Sequence, residues 1–222
     1  MINETFELCR RTVAVRGEEN ADFLLIQPMG DFEMKSFGTE YEHIKKCGRC
    51  IFAAFIIDNW NDELSPWSAP AVFGDEAFGG KAPKTLETLK NDVIPTVEKE
   101  IGCPERRFIG GYSLSGLFAL WCCYECDLFD GAASCSGSLW FPKLDKYIES
   151  RPVPSGKFYF SLGDKEPKTK NKVMSAVGDM TLKIYNKFRE ANTDCKYESN
   201  SGGHFKDCAL RLAKGVAFLA ED

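Results

Sequence analysis

A serine between small residues is the feature of this chain whose spacing could support chemistry. Residues 107–121 read RFIGGYSLSGLFALW, so that an apolar run leads into glycines and a serine and continues into residues that favour a helix. This order is typical of a nucleophile elbow, a sharp strand-to-helix turn that lifts a serine hydroxyl out of a sheet. We therefore predict that Ser113 is the nucleophile of a hydrolase or an acyl transferase.

The second serine of this segment is the alternative nucleophile. The elbow usually has a glycine two residues after the nucleophile, and this chain has Ser115 there. If Ser115 attacked, its own flanking positions would be Ser113 and Leu117, and the bulky leucine would crowd the turn. The flanking residues of Ser113 are Gly111 and Ser115, which are both small. Ser115 is therefore expected to be a packing residue or a polar group near the oxyanion.

A serine hydroxyl needs a base that accepts its proton, and the chain offers only two histidines. His204 lies in the segment SNSGGHF at 199–205, after the last predicted strand and before the last predicted helix. His43 precedes the serine in a charged segment that we predict to be helical and solvated. We therefore predict that His204 is the general base.

Two carboxylates follow a predicted strand between the serine and the histidine, in the segment LGDKE at 162–166. The acid of a triad accepts the other ring N–H of the base, which sets its tautomer and stabilises the imidazolium that forms. Either carboxylate could reach the base. Hydrolase loops of this kind often place the acid three residues after a glycine at the strand end, which favours Glu166. Asp164 is kept as the alternative acid.

Attack on a carbonyl creates an oxyanion, which backbone N–H groups must stabilise by about 3–4 kcal/mol for one donor. One predicted donor is the amide of Leu114, the residue after the nucleophile. The other should come from the loop after an early strand, where the chain reads QPMGD at 27–31. Met29 is the best candidate there, because Pro28 has no N–H.

The elements that must position these residues alternate along the chain between short apolar runs and helical runs. Near-continuous apolar runs are typical of strands inside a parallel sheet. The predicted strands are 23–27, 50–57, 107–111, 131–135, 157–162 and 194–199, with an antiparallel edge strand at 12–15. The predicted helices are 84–101, which Pro95 could kink, 114–124, 171–191 and 205–219. This alternation predicts an α/β fold with a mainly parallel central sheet and helices on both faces.

The segment 58–83 interrupts the alternation. It contains four large aromatic residues, three prolines and three glycines without a clear period. A loop of this length is usually functional or disordered, and its aromatic content argues against disorder. Two interpretations stay open: a surface excursion that covers part of the core, or a lid-like wall in which Trp60 and Trp67 contact the substrate.

The composition limits the classes of protein that this chain could be. With 222 residues it has the length of one domain, and its net charge of −5 gives no basic surface for nucleic acid or an anionic membrane. Apolar runs such as 51–57 are too short to cross a bilayer. The first eight residues include early acids and no apolar signal core, so we do not expect secretion.

Ten cysteines are scattered along the chain, and several lie inside apolar runs. Two Cys-x-x-Cys pairs occur at 47/50 and 123/126, but zinc sites commonly have two such pairs about 15–20 residues apart. We therefore predict reduced thiols, no metal site and a cytoplasmic location.

These motifs resemble the putative-esterase branch of the α/β-hydrolase superfamily, which includes siderophore trilactone esterases, feruloyl esterases and S-formylglutathione hydrolases. The resemblance rests on GYSLSGLF at 111–118, SGSLWF at 136–141, the loop 163–166 and GGHF at 202–205. It covers most of the chain from Phe23 onward.

The resemblance implies an α/β-hydrolase fold and a serine hydrolase that cleaves a small-molecule carboxylic ester, or a thioester, without a cofactor. It makes Trp140 and Phe141 candidate walls of an acyl or aryl pocket, with ordinary core packing as the alternative. Acyl transfer to an acceptor other than water would use the same residues. A catalytically silent binding protein with this fold is the third possibility, and the oligomeric state is left open.

Overall fold

Strands and helices alternate along residues 1–8 and 10–221, which the computed structural model of the protein describes. The strands are β1 (Ile2–Leu8), β2 (Arg11–Gly17), β3 (Phe23–Gly30), β4 (Cys50–Ile57), β5 (Ser68–Ala69), β6 (Phe78–Gly79), β7 (Arg106–Tyr112), β8 (Gly131–Cys135), β9 (Lys157–Gly163) and β10 (Asp194–Asn200). The helices are α1 (Met34–Ile44), α2 (Trp60–Glu63), α3 (Ala82–Thr88), α4 (Ile94–Glu100), α5 (Leu114–Glu125), α6 (Leu144–Glu149), α7 (Val177–Glu190) and α8 (Cys208–Ala220). None of these described helices is long and apolar enough to cross a membrane.

Eight of the strands form one sheet in the order β1-β2-β4-β3-β7-β8-β9-β10, and β5 pairs with β6 in a separate antiparallel ribbon. Strand β2 is antiparallel to both of its neighbours, and every other neighbouring pair is parallel. The carboxyl ends of the parallel strands therefore meet at one edge of the sheet. The predicted α/β class with a mainly parallel sheet is confirmed.

Both faces of the sheet are covered by helices. Strands β3 and β4 are buried along their whole length, because apolar side chains alternate between two faces that are each covered. One face packs against α1 and α8, through Phe37, Tyr41, Leu212 and Val216. The other face packs against α3, α4, α5 and α7, through residues that include Leu86, Val97, Phe118 and Phe188.

Strand β3 continues through a proline to Gly30, three residues beyond its predicted end. Proline inside a sheet normally removes a hydrogen bond of the ladder. Here the pairing of β3 with β7 already ends at Ile26 and Ile109, whereas its pairing with β4 continues to Gly30. Pro28 therefore lacks its N–H where no β7 partner is present to accept one.

The amino-terminal edge of the sheet differs from the prediction. The strand predicted at 12–15 is the centre of β2, and it is not an edge strand because β1 pairs outside it. Only Ile2, Phe6 and Leu8 of β1 are partly buried, and the residues between them are exposed. Because this pattern contains few apolar residues, it gave no sequence signal for a strand.

The helix predicted at 84–101 is divided into α3 and α4 by one π-helical turn at Leu89–Val93. The amide of Ile94 bonds to the carbonyl oxygen of Leu89, five residues earlier. Pro95, in the first turn of α4, has no N–H for the carbonyl four residues before it. The wider turn accommodates this missing bond, which is a recognised cause of an irregular helix.

The segment 58–83 contains the short helix α2 and the β5–β6 ribbon. Its residues Leu64, Ala69 and Phe78 are buried in the core cluster of the α5 face. Trp67 Nε1 donates to the carbonyl oxygen of Pro142 at 2.8 Å. The segment is therefore packed against the domain as a covering wall, and a lid function for it stays a prediction.

Candidate active site

Ser113 occupies the sharp turn between β7 and α5. Its backbone angles are φ 60° and ψ −123°, which lie outside the regions of strands and right-handed helices. Its amide donates to the carbonyl oxygen of Cys135 at 3.1 Å, and its carbonyl accepts the amide of Ser138 at 2.9 Å. The end of β8 and the residues after it therefore hold this unusual conformation.

Small residues around Ser113 allow the strand and the helix to approach one another. A Cβ atom on Gly111 would lie 2.3 Å from Ser115 Oγ and 2.4 Å from the Ser115 carbonyl carbon. A Cβ atom on Gly116 would lie 2.9 Å from the carbonyl oxygen of Gly111. Carbon atoms do not pack at such distances, so glycine is required at both positions.

Ser115 is buried, and its hydroxyl donates to the carbonyl oxygen of Pro28 at 2.7 Å. This bond connects the first turn of α5 to the end of β3. The hydroxyl is therefore engaged away from solvent, which agrees with the packing role predicted for it.

Glu166 and His204 are brought together from the loops that follow β9 and β10. Glu166 Oε2 lies 2.7 Å from His204 Nδ1. A carboxylate at Nδ1 favours the tautomer that carries its proton there, which leaves Nε2 free to accept a proton. This is the arrangement that a general base and its orienting acid require.

The second carboxylate oxygen of Glu166 is also satisfied. Oε1 accepts the hydroxyl of Ser136 and the amide of Gly163, each at 2.7 Å. Burial of the side chain opposes ionisation, but the hydrogen bonds from His204, Ser136 and Gly163 outweigh it. The pKa of Glu166 is therefore held below its usual value, and the group is an anion near neutral pH.

Asp164 is exposed and has a different partner. Its Oδ1 accepts the amide of Gly202 at 2.7 Å, and its own amide donates to the carbonyl oxygen of Asn200 at 2.8 Å. The hydrogen bond from Gly202 lowers the pKa of this carboxyl group. Asp164 thus ties the loop after β9 to the loop that carries His204, and it is Glu166 that meets the imidazole.

The proposed nucleophile and base are linked in the structure only through the residue that precedes Ser113. Among the described residues, no hydrogen bond joins Ser113 Oγ to His204. Tyr112, which precedes Ser113, donates its hydroxyl to the carbonyl oxygen of His204 at 2.6 Å, and the two rings are 5.4 Å apart. Catalytic hydrogen bonds in ligand-free enzymes often tighten only when substrate binds.

The two predicted oxyanion donors differ in orientation. Leu114 is the first residue of α5, where the N–H groups of a helix have no partner within the helix. The carbonyl oxygen of Pro28 faces Ser115, and a trans peptide directs the next N–H to the opposite side. The Met29 amide therefore points toward β4, where Met29 pairs with Ile56. This orientation does not favour Met29 as an oxyanion donor. The role stays a prediction.

Three of the predicted substrate-binding aromatic residues pack against one another. Trp140 and Phe141 are buried, and the ring of Phe141 lies 5.1 Å from that of Phe78 and 5.7 Å from that of Trp67. Core packing accounts for these contacts. A role as pocket walls stays a prediction for Trp67, Trp140 and Phe141.

Two exposed aromatic rings near the site were not identified from the sequence. Phe205 follows His204, contacts its ring at 4.9 Å and is 89% exposed. Phe32 follows β3, is 63% exposed and packs edge-on against Trp60 at 5.4 Å. Trp60 was predicted to bind substrate, and its contact with Phe32 places it beside the loop after β3. A single exposed phenylalanine in a loop carries no sequence pattern, so only the structure identifies this pair.

Arg211 is a further residue that sequence reasoning missed. It lies in α8, where a charged residue between apolar ones would normally face solvent. The structure buries its side chain beside Glu166.

The described residues contain no group of three or more His, Cys, Asp and Glu side chains that could hold a metal ion. The nine cysteines in this part of the chain are all free thiols.

The family described as "Putative esterase" matches residues 51–207 of the chain. No curated protein matches the sequence at a significant level.

Several solved structures share the fold. An IroE-like serine hydrolase from Shewanella oneidensis superposes with a TM-score of 0.80 at 14% identity, over 97% of this chain and 79% of that one. The siderophore hydrolase EstB from Aspergillus nidulans gives 0.77 at 16% identity, over 97% and 93%. The enterochelin esterase from Shigella flexneri gives 0.76 at 17% identity, over 98% of this chain and 57% of that one. At these identities the likeness establishes the fold.

Proposed function

This chain belongs to the Putative esterase family and is an esterase with an α/β-hydrolase fold, and we propose that it works as a serine hydrolase through an acyl-enzyme on Ser113. The observation that carries the proposal is the 2.7 Å contact between Glu166 Oε2 and His204 Nδ1. This contact supports His204 as the oriented base for the elbow serine.

The first half-reaction acylates the serine. His204 Nε2 accepts the proton of Ser113 Oγ as the oxygen attacks the ester carbonyl carbon. The amide of Leu114 donates to the oxyanion, and Glu166 stabilises the imidazolium. The imidazolium then gives its proton to the leaving alkoxide, so that the alcohol departs and the acyl group remains on Ser113.

The second half-reaction releases the acid. His204 accepts a proton from water, whose oxygen attacks the acyl carbonyl carbon. The new tetrahedral intermediate collapses when the imidazolium returns the proton to Ser113 Oγ. A thioester would follow the same steps with a thiol as the leaving group.

The substrate that we propose is a small-molecule ester. Two of the solved structures with this fold are named for hydrolysis of siderophores or of enterochelin, which makes siderophore-type lactones a first group of esters to assay. The exposed rings of Phe32 and Phe205 add apolar contact area next to the loops of the site. The scheme needs no cofactor and no nucleic-acid or membrane partner.

We propose that the protein works in the reducing environment of the cytoplasm. The described cysteines are all unpaired, and Cys122 and Cys123 are buried in α5. Burial raises the pKa of both thiols well above the usual range, so they stay protonated. Buried neutral thiols of this kind behave as small apolar side chains.

The decisive test is labelling with a fluorophosphonate probe, which reacts with an activated serine. We expect wild-type protein and the Ser115→Ala variant to be labelled and the Ser113→Ala variant to stay unlabelled. His204→Gln should prevent labelling, and His43→Gln should not. Equal labelling of wild type and Ser113→Ala would refute the proposed nucleophile.

Labelling does not separate hydrolysis from acyl transfer. Product analysis with short-chain aryl esters, thioesters and siderophore-type lactones, each with and without added alcohols or amines, makes that distinction. We expect the free acid as the product under both conditions. A new ester or amide in place of the acid would identify an acyl transferase, and binding of a ligand without turnover would identify a silent binding protein.

A further inference from the structure

A buried guanidinium group lies behind the proposed triad. Arg211 belongs to the first turns of α8, and only 1% of the residue is exposed. Arginine is rarely buried unless its charge is paired, and it does not lose its proton inside proteins. A permanent positive charge is therefore present in the interior close to the site.

Five oxygen atoms, all at the carboxyl edge of the sheet, lie within hydrogen-bonding distance of the two terminal nitrogens of the guanidinium. Nη1 shares its two hydrogens among three of them, and the buried Nε has no partner among the described residues. Nη1 donates to Tyr112 Oη at 3.0 Å, Ser136 Oγ at 3.1 Å and Glu166 Oε1 at 3.3 Å. Nη2 donates to the carbonyl oxygens of Gly203 at 3.1 Å and Ser201 at 3.3 Å.

These partners belong to four different segments. They are the end of β7 next to Ser113, the turn after β8, the loop after β9 with Glu166 and the loop after β10 with His204. One planar, preorganised group therefore joins the supports of all three triad residues. Lysine could not reproduce this fork, because it presents a single point of contact.

The charge of Arg211 also acts on the imidazole. Arg211 contacts Oε1 of Glu166, and the other oxygen of that carboxylate contacts His204 Nδ1 at 2.7 Å. The guanidinium is thus one carboxylate away from the ring. It balances the charge of Glu166, and a nearby cation disfavours the protonated form of a histidine.

The other titratable groups that face His204 carry no charge at neutral pH or are exposed. Burial raises the pKa of Tyr112 and that of Cys208, whose thiol contacts the His204 carbonyl oxygen at 3.8 Å. Asp164 and Lys206 are exposed, so water screens their charges. Glu166 and Arg211 are therefore the buried charged groups of this cluster.

We propose that Arg211 is a positioning residue, which fixes the Glu166 carboxylate against His204 and whose permanent charge opposes protonation of the imidazole. The electrostatic part stands on the geometry alone. The kinetic part rests on the proposed esterase function, because an effect on rate can be measured only if His204 acts as a base in a reaction.

The test is an NMR titration of the histidine rings, which the sequence makes simple because the chain has two histidines. The proteins compared are wild type, Arg211→Met and Arg211→Gln. In the two variants, which lack the cation, we expect the titration midpoint of His204 to lie about one pH unit above that of wild type. His43, on α1, makes no hydrogen bond or ring contact with Arg211 or Glu166 among the described residues, and its signal serves as the internal reference. Arg107→Met is the matched control, because Arg107 pairs with Glu98 at the opposite end of β7.

The kinetic measurement separates positioning from charge. On an ester that wild-type protein hydrolyses, the acidic limb of kcat/KM should move upward with His204 in Arg211→Met. Arg211→Lys should keep the acidic limb near its wild-type position and lower kcat about tenfold, because the fork that holds Glu166 is lost.

Two outcomes would overturn the proposal. One is an unchanged His204 midpoint in a folded Arg211→Met or Arg211→Gln variant. Should both variants unfold, Arg211→Lys tests the positioning by itself, because it keeps the charge and loses the planar fork. A folded Arg211→Lys variant with the kcat of wild type refutes the proposal. If no ester is hydrolysed, these titrations still decide the role of Arg211, while the esterase mechanism fails separately.

Discussion

The hydroxyl of Ser115 donates to the carbonyl oxygen of Pro28 at 2.7 Å, which connects the first turn of α5 to the end of β3. The two segments are 87 residues apart in sequence. The departure from the usual glycine at this position of the elbow therefore adds a buried hydrogen bond between two elements of the site.

Removal of this bond should cost stability without removing the nucleophile. Ser115→Ala leaves the Pro28 carbonyl oxygen unpaired in the interior, which typically costs about 1–3 kcal/mol. Urea unfolding should show this loss, while fluorophosphonate labelling of Ser113 persists. Ser150→Ala is the matched control, because its hydroxyl makes a similar bond to the carbonyl of Tyr147 at an exposed position. A loss no larger than that of Ser150→Ala would contradict the importance of the Pro28 bond.

The roles of Glu166 and Asp164 can be distinguished by replacing each carboxylate with its amide. Glu166→Gln keeps the shape of the side chain but removes the anion that orients His204, and we expect kcat to fall by about 10⁴-fold. Asp164→Asn changes only a loop contact with Gly202. Because Asp164 does not meet the imidazole, kcat should change by less than about tenfold. Steady-state kinetics on one ester decides between them. The reverse order of effects would assign the acid to Asp164.

Glu33 makes the stability of the protein depend on pH. Its Oε2 accepts the amide of Gly30 at 2.9 Å. Burial raises the pKa of Glu33 from its ordinary value of 4.5 to about 7, with a hydrogen bond from Gly30 opposing the shift and the negative charge of Glu40 adding to it. Between about pH 4.5 and pH 7 the folded state therefore keeps a proton that the unfolded chain has released. The free energy of unfolding must fall as pH rises through this window.

Glu33→Gln should remove this dependence, because glutamine is neutral at both ends of the window. Relative to wild type, the variant should gain on the order of 2 kcal/mol in unfolding free energy between pH 5 and pH 8. Urea unfolding at both pH values measures the difference. Glu19→Gln, at an exposed turn position, is the control and should show no such gain. Parallel pH profiles of wild type and Glu33→Gln would rule out the shift.

Gly111→Ala should damage the elbow sterically. The new Cβ would lie 2.3 Å from Ser115 Oγ and 2.4 Å from the Ser115 backbone, which cannot move without displacing α5. We expect a loss of about 3 kcal/mol or more. Gly203→Ala is the control, since no atom lies within 4 Å of its Cβ position. Thermal unfolding should separate the two variants clearly, and similar midpoints would contradict the steric argument.

The sequence predicted the central sheet well because the strands there are buried on both faces. The strands predicted at 50–57 and 131–135 agree with β4 and β8 in every residue. Such runs leave a clear apolar signal, whereas β1 is mostly exposed and leaves none. The π turn before Pro95 could not be predicted from the spacing of apolar residues, because this spacing does not show which carbonyl oxygen each amide bonds to.

The candidate site was predictable where chemistry limits the choice of residue. Two histidines, and one serine with small flanking residues at a predicted strand-to-helix turn, left few alternatives, and the spacing after Gly163 favoured the carboxylate that does meet His204. Orientation was not predictable: the direction of the Met29 amide follows from a side-chain bond to the preceding peptide. The partners of Arg211 were equally hidden, because they come from four distant segments.

The backbone conformation of Ser113 lowers the stability of the fold at the position of the proposed nucleophile. Its φ of 60° with ψ of −123° is a conformation that typically costs a residue with a side chain about 1–3 kcal/mol, and that glycine adopts freely. Ser113→Gly would thus relieve the backbone while it removes the proposed nucleophile. The proposed nucleophile is thus placed where glycine would give the more stable fold.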